Sequence, residues 1–178
     1  VDYDYFINLS GECYPIKPNH IIGKTFDNQT SGFMENFELP VAIWGKGGME
    51  RLWHKHYYLS IGKHNVHLRI PRINKKIPSN LKPYGGSAFF CLPKQQVTYI
   101  LEFVSKHPSI KGFFNRVGIS DEVFFQTILM NSPFKSQIIN DNKRYIDWKD
   151  SKDSHPKYLA TDDFEALAKS EKLFARKF

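Results

Sequence analysis

An apolar run, Ala88-Phe89-Phe90-Cys91-Leu92, leads straight into Pro93 and then into Val97, Ile100, Leu101 and Val104. This junction constrains the fold more than any other stretch of the chain. The first part reads as a strand opened by Gly85-Gly86-Ser87, where paired glycines indicate close backbone approach. The second part has the i, i+3, i+4, i+7 spacing of a helix with one apolar face. Pro93 suits its first turn and Pro108 lies just past its end. A strand feeding a helix in this way calls for strands and helices packed together.

Other segments fit the same pattern. Tyr3 to Leu9 is strand-like and stops at Ser10-Gly11. The following Glu12-Cys13-Tyr14-Pro15-Ile16-Lys17-Pro18 is a proline-shaped loop of the kind that binds ligands in α/β proteins. Residues 23 to 40 are polar and predict irregular structure, with one short strand at Val41-Ala42-Ile43-Trp44 before Gly45-Lys46-Gly47-Gly48. Asn65 to Ile70 alternates His67 and Arg69 with Val66, Leu68 and Ile70, the period of a half-buried strand, after a turn at Ile61-Gly62-Lys63-His64. A helix after Ser120 should stop near Pro133. A strand at Arg144 to Trp148, a polar loop through Pro156 and a helix from Asp162 or Asp163 complete the chain.

With 178 residues, 41% hydrophobic and 15% aromatic, the chain supports one core, so residues 1–178 are expected to form a single domain. The formal charge of +7 favours an anionic partner without choosing among nucleic acid, a membrane surface and a phosphorylated substrate. Cys13 and Cys91 have no metal or redox spacing and read as reduced core residues of a cytosolic protein, with a disulfide as the lesser alternative. No apolar run approaches the roughly 18 residues of a membrane span, and no secretory signal is evident. The chain opens without Met in strand-like sequence, as though cut from something longer.

Several groups could carry chemistry. Ser120-Asp121-Glu122 stands before the apolar run Val123 to Leu129, where Ser120 can cap a helix and the acids can suit its positive end. The same position can hold a fixed catalytic base. Asp2-Tyr3-Asp4 has Asp-x-Asp spacing but precedes its strand, which disfavours a metal role. His54, His56, His64 and His67 cluster, yet no acid or cysteine completes a metal site. No glycine-rich phosphate loop occurs. In Phe174-Ala175-Arg176-Lys177-Phe178, two cations lie between aromatics; they could neutralise a diphosphate without metal, or complement a helix C-terminus. Trp148, near Asp147 and Asp150, suits either a sugar-stacking platform or the core.

Taken together, Tyr5 to Lys17, Gly85 to Phe90, Ser120-Asp121-Glu122, Arg144 to Trp148 and Phe174 to Phe178 resemble the core-2/I-branching glycosyltransferases. That family includes β-1,6-N-acetylglucosaminyltransferases and peptide O-xylosyltransferases. The resemblance implies a GT-A-like α/β fold, a mixed sheet flanked by helices, and an inverting, metal-independent transferase with no cofactor. Its partners would be a UDP-sugar donor and a saccharide or other hydroxyl acceptor. It also implies that this chain is the C-terminal part of such a domain, without the N-terminal nucleotide-binding portion. A cytoplasmic, bacterial-type enzyme, peripheral to the inner membrane at most, is the expected setting.

By position, the resemblance makes Glu122 the general base and Lys177, helped by Arg176, the binder of the donor diphosphate. It puts Trp148, Glu50 and Arg51 at the acceptor, and Ser10, Gly11, Glu12, Gly86 and Ser87 in the donor and acceptor cleft. Glu12 stands where many relatives have Asp. A second diphosphate-binding arginine has no clean counterpart, with Ser154, His155 and Lys157 in its neighbourhood. Glu122 would take the proton of an acceptor hydroxyl as it attacks the anomeric carbon and displaces UDP. Two rival readings are a noncatalytic carbohydrate-binding fragment and a single-stranded nucleic-acid surface of Trp53, Tyr57, Tyr58, Arg69 and Arg72. The cations are too dispersed to favour the latter, so no nucleic-acid partner is expected.

Overall fold

A computed structural model describes residues 2–149 and 155–178, with Ile61 described by its backbone alone. In chain order the elements begin with β1 (Tyr5–Ile7), β2 (Tyr14–Pro15), α1 (Asn19–Phe26), β3 (Gly32–Met34), β4 (Phe37–Glu38) and α2 (Glu50–Trp53). They continue with β5 (His54–Ile61), β6 (His64–Pro71), β7 (Tyr84–Gly85), β8 (Phe90–Pro93), α3 (Lys94–Lys106) and α4 (Pro108–Phe114). The last are α5 (Phe124–Met130), β9 (Ile138–Ile139), β10 (Arg144–Ile146), α6 (Phe164–Lys169) and β11 (Phe174–Arg176).

The main sheet has the order β1-β8-β3-β9, with β8 antiparallel to both neighbours and β3 parallel to β9. A second sheet runs β10-β11-β2, in which β10 and β11 are parallel and β2 is antiparallel. Two further antiparallel pairs, β4 with β7 and β5 with β6, complete the described strands. The sheet is thus mixed, as expected, but divided into several small pieces.

The strand-to-helix junction forms as predicted: β8 ends at Pro93 and α3 follows at once. Phe90, Cys91 and Leu92 are almost inaccessible, and Leu92 joins Met34, Ile100, Ile110, Ile128 and Leu129 in the main core. Burying each such side chain stabilises the fold by about 1.5–3 kcal/mol before entropy is counted. The buried face of α3 is rotated from the predicted one. Gln96 and Ile100 are buried, while Leu101 is 66% exposed.

Several local expectations are corrected. Residues 23–40 are not irregular: they include the end of α1 together with β3 and β4. The strand expected at Val41–Trp44 is a turn, because Val41 and Trp44 bond within it and Gly47 closes onto Trp44 and Val41. Phe174–Arg176 is a strand, which removes the helix C-terminus reading. The β6 residues are all exposed, so their alternation does not mark a half-buried strand. The predicted turn forms, with Gly62 at φ +59°.

Candidate active site

Ser120-Asp121-Glu122 is a single 3-10 turn, not the first turn of the following helix. Ser120 does not cap. Ile119 occupies the N-cap position at φ +51°, and no side chain bonds the turn's free N–H groups. A β-branched residue in left-handed backbone is sterically unfavourable, and such strain gathers at functional sites. Val123 then breaks from helical geometry, and α5 starts at Phe124.

The turn is positioned by the way α5 locks onto the β7 segment. Thr127 Oγ1 accepts from Tyr84 N–H and donates to its carbonyl, both at 3.1 Å. Gln126 Nε2 donates to the Ser87 carbonyl at 2.7 Å, and Asn131 Nδ2 to that of Lys82 at 2.8 Å. Gly86 N–H in turn donates to the Glu122 carbonyl at 2.9 Å. A Cβ on Gly86 would lie 1.9 Å from the Glu35 carbonyl oxygen, so the close approach predicted for the paired glycines is real.

Glu122 is fixed from the side-chain end as well. Arg51 Nη1 donates to Glu122 Oε2 at 2.5 Å, with both side chains partly open to solvent. The Arg51 guanidinium lies over the Trp44 ring at 3.9 Å, and Trp44 rests edge-on against Phe37. Gly48 and Gly85 leave the space for that indole: a Cβ on either would come within 2.7 Å of it. Glu50 turns away to Lys46, whose hydrogen bond holds its carboxyl below the usual range.

Glu35 is a member of this group that the sequence did not single out. Burial pushes its carboxyl up, and the nearby charges of Glu122 and Asp141 add to the rise, against a hydrogen bond from the Ser87 backbone. No motif marks Glu35; only the packing of its backbone on Gly86 brings it here.

A second cluster gathers Glu12, Arg176 and Lys177. Glu12 pairs with Lys177 Nζ at 3.1 Å and with Arg176 Nη2 at 3.4 Å. Tyr158, 4.5 Å beneath Nζ, and then Glu12 raise the Lys177 ammonium above the ordinary lysine value. Backbone bonds from Phe178 N–H to the Glu12 carbonyl and from Leu159 N–H to the Lys177 carbonyl fasten the segment. Ser10 and Gly11 shape the turn that presents Glu12, closed by Cys13 N–H on the Ser10 carbonyl.

The two clusters share one short connection. Arg176 stacks on Phe89 at 4.5 Å, while Gly86 bonds Glu122, so residues 86–89 join them over no more than about 11 Å of backbone. Ser87 sits between, its Oγ accepting from Phe89 N–H. Trp148 is 56% exposed beyond the end of β10 and touches neither cluster among the described contacts. Asp150 and Ser154 lie outside the described residues, whereas Lys157 pairs with Asp163. Asp2 of the Asp-x-Asp pair bonds Lys94, and among the described residues no three His, Cys, Asp or Glu converge as a metal site.

A mixed α/β fold thus brings the Arg51-held Glu122 carboxylate and the Arg176-Lys177 cations to the two ends of residues 86–89. The chain belongs to the Core-2/I-Branching enzyme family, whose model matches residues 1–168, and it shares the family's GT-A-like α/β fold. It is 27% identical over 190 residues to the beta-glucuronosyltransferase GlcAT14B of Arabidopsis thaliana, covering 99% of this chain and 41% of that protein. Xylosyltransferase 2 of Rattus norvegicus is 26% identical over 82% of this chain and 16% of its own length. Xylosyltransferase 1 of Homo sapiens is 28% identical over 82% of this chain and 15% of its own length. The chain therefore spans less than half of each of these relatives.

Proposed function

We propose that the chain is part of a glycosyltransferase that moves a sugar from a UDP-sugar to an acceptor hydroxyl, with inversion and without a metal ion. The relatives' names, glucuronosyltransferase and xylosyltransferase, support sugar transfer. The observation that carries the reading is the 86–89 connection, which places the Glu122 group and the Arg176-Lys177 group at opposite ends of one short segment.

In this reading Glu122 accepts the proton of the acceptor hydroxyl through Oε1, since Oε2 is held by Arg51. The hydroxyl oxygen attacks the anomeric carbon as the bond to the diphosphate oxygen breaks. Lys177 and Arg176 receive the developing charge on the leaving diphosphate. Before donor arrives, Glu12 occupies those cations and offsets one of their two charges. Arg51 orients the base, Glu35 and Glu50 accept from acceptor hydroxyls once Glu50 leaves Lys46, and Trp148 offers its ring face to the acceptor sugar.

The test is transfer from UDP-xylose, UDP-glucuronate and UDP-N-acetylglucosamine to a sugar or peptide hydroxyl acceptor, in chelator. A β-linked product from an α-linked donor supports the reading. Acceptor binding without turnover would move it to a carbohydrate-binding role, and loss of transfer in chelator would remove metal independence.

A further inference from the structure

The charge excess of this chain is confined to one stretch. Residues 51–101 hold nine of the 25 Lys and Arg and none of the 18 Asp and Glu, leaving 16 cations against 18 acids in the remainder. The centre of that stretch is the β5–β6 ribbon, whose strands run for eight residues each, roughly 26 Å.

The register separates its two faces. Tyr57 pairs with Leu68, Leu59 with Val66 and Lys55 with Ile70, so these side chains share one face. His56 with Arg69, Tyr58 with His67 and Ser60 with Asn65 form the other. The second face turns toward the active site: His56 packs on Gly118, and Gly118 N–H bonds Arg51. The first face therefore points away from it. Leu59, Val66, Leu68 and Ile70 are each 42–47% exposed and belong to none of the three apolar clusters. Beyond the ribbon, Ile73 is fully exposed, flanked by Lys75 and Lys76.

We propose that this face of the ribbon docks on an anionic lipid surface, with Leu59, Val66, Leu68 and Ile70 set into the headgroup boundary. Contiguous exposed apolar side chains mark interaction sites. Charge selects the partner: Lys55 and Lys63 rim the face, Lys75 and Lys76 lie beyond it, and no acid within the stretch opposes a negatively charged bilayer. The same charge disfavours a second copy of this chain, which would bring two acid-free ribbons together. No described helix is long and apolar enough to cross a membrane. The inference stands apart from the sugar-transfer reading, because the face lies opposite Arg51 and Glu122.

The test is flotation of the 178-residue protein with vesicles of pure phosphatidylcholine and with vesicles containing about one third phosphatidylglycerol. Recovery with the anionic vesicles alone, falling as salt is raised, is expected. Leu59→Ser with Leu68→Ser, and separately Lys55→Glu with Lys63→Glu, should each weaken it by about tenfold or more with an unchanged melting temperature. Leu68→Trp supplies a second readout, a blue-shifted emission quenched by brominated anionic lipid. Equal recovery with pure phosphatidylcholine, insensitivity to the Leu→Ser pair, or a protein dimer dispersed by that pair without vesicle binding would each overturn the proposal.

Discussion

Arg51 and Glu122, 71 residues apart in sequence, meet through Nη1 and Oε2, and the guanidinium itself lies over the Trp44 ring at 3.9 Å. The pairing engages one carboxylate oxygen, and in the proposed mechanism the other receives the proton. Glu122→Gln keeps the shape and the Arg51 contact but removes the base. We expect kcat to fall by about 10²–10⁴-fold with little change in melting temperature. Arg51→Lys keeps charge but loses the planar stack, so it should lower kcat more than it raises acceptor KM. Steady-state transfer assays on both variants check this; an active Glu122→Gln protein would sink the assignment.

How much of this was legible beforehand depended on whether the signal was local. The β8-to-α3 junction was legible because Pro93, the apolar period and Pro108 lie together within 16 residues. The close approach at Gly86 was readable too, since paired glycines have few other uses. Ser120 misled because the capping rule reads residue type alone, whereas the backbone puts a left-handed Ile119 at the N-cap position and Ser120 inside the turn. Glu35 was invisible because its role comes from a β3–β4 connection packing on Gly86, contributed by a stretch whose polar composition hid both strands. The alternation of β6 was read correctly as a strand and wrongly as burial, because a period of two reports a face and not what covers it.

Gly86 is the joint between Glu122 and the segment that carries Phe89 into β8. Any Cβ there lies 1.9 Å from the Glu35 carbonyl oxygen and 2.7 Å from its carbon, both backbone atoms that cannot swing aside. Gly86→Ala should destabilise the protein by about 3 kcal/mol. It should also displace the Glu122 carbonyl from the Gly86 N–H. Urea unfolding gives the first quantity and residual transfer activity reports the second; a change under about 0.5 kcal/mol would show that the segment relaxes freely.

Glu12 bridges both cations that the diphosphate is proposed to meet and offsets one of their two charges. Lys177→Ala should weaken UDP binding by about tenfold, the loss of one charge-assisted contact. Glu12→Gln should tighten binding of inorganic pyrophosphate, since it removes the internal competitor and leaves both cations in place. Isothermal titration with UDP and with pyrophosphate separates the two effects. If both substitutions weaken both ligands, Glu12 holds the segment together instead of competing for it.

Glu35 gives a pH dependence whose sign follows from its surroundings. Burial, with the Glu122 and Asp141 charges, raises its carboxyl above the unfolded value of 4.5. The native state thus binds this proton more tightly than the unfolded chain. The stabilisation from it is fully present below pH 4.5 and is lost as pH rises through the raised folded value. At pH 8 the ionised carboxylate is a cost that Glu35→Gln removes, while its amide oxygen can still accept from the Ser87 backbone. The variant should therefore melt about 2–4 °C above the parent at pH 8, with the gain shrinking toward zero near pH 4. Thermal unfolding of both proteins across that range is the check, and a gain that is constant with pH would assign the effect to packing instead of to the charge.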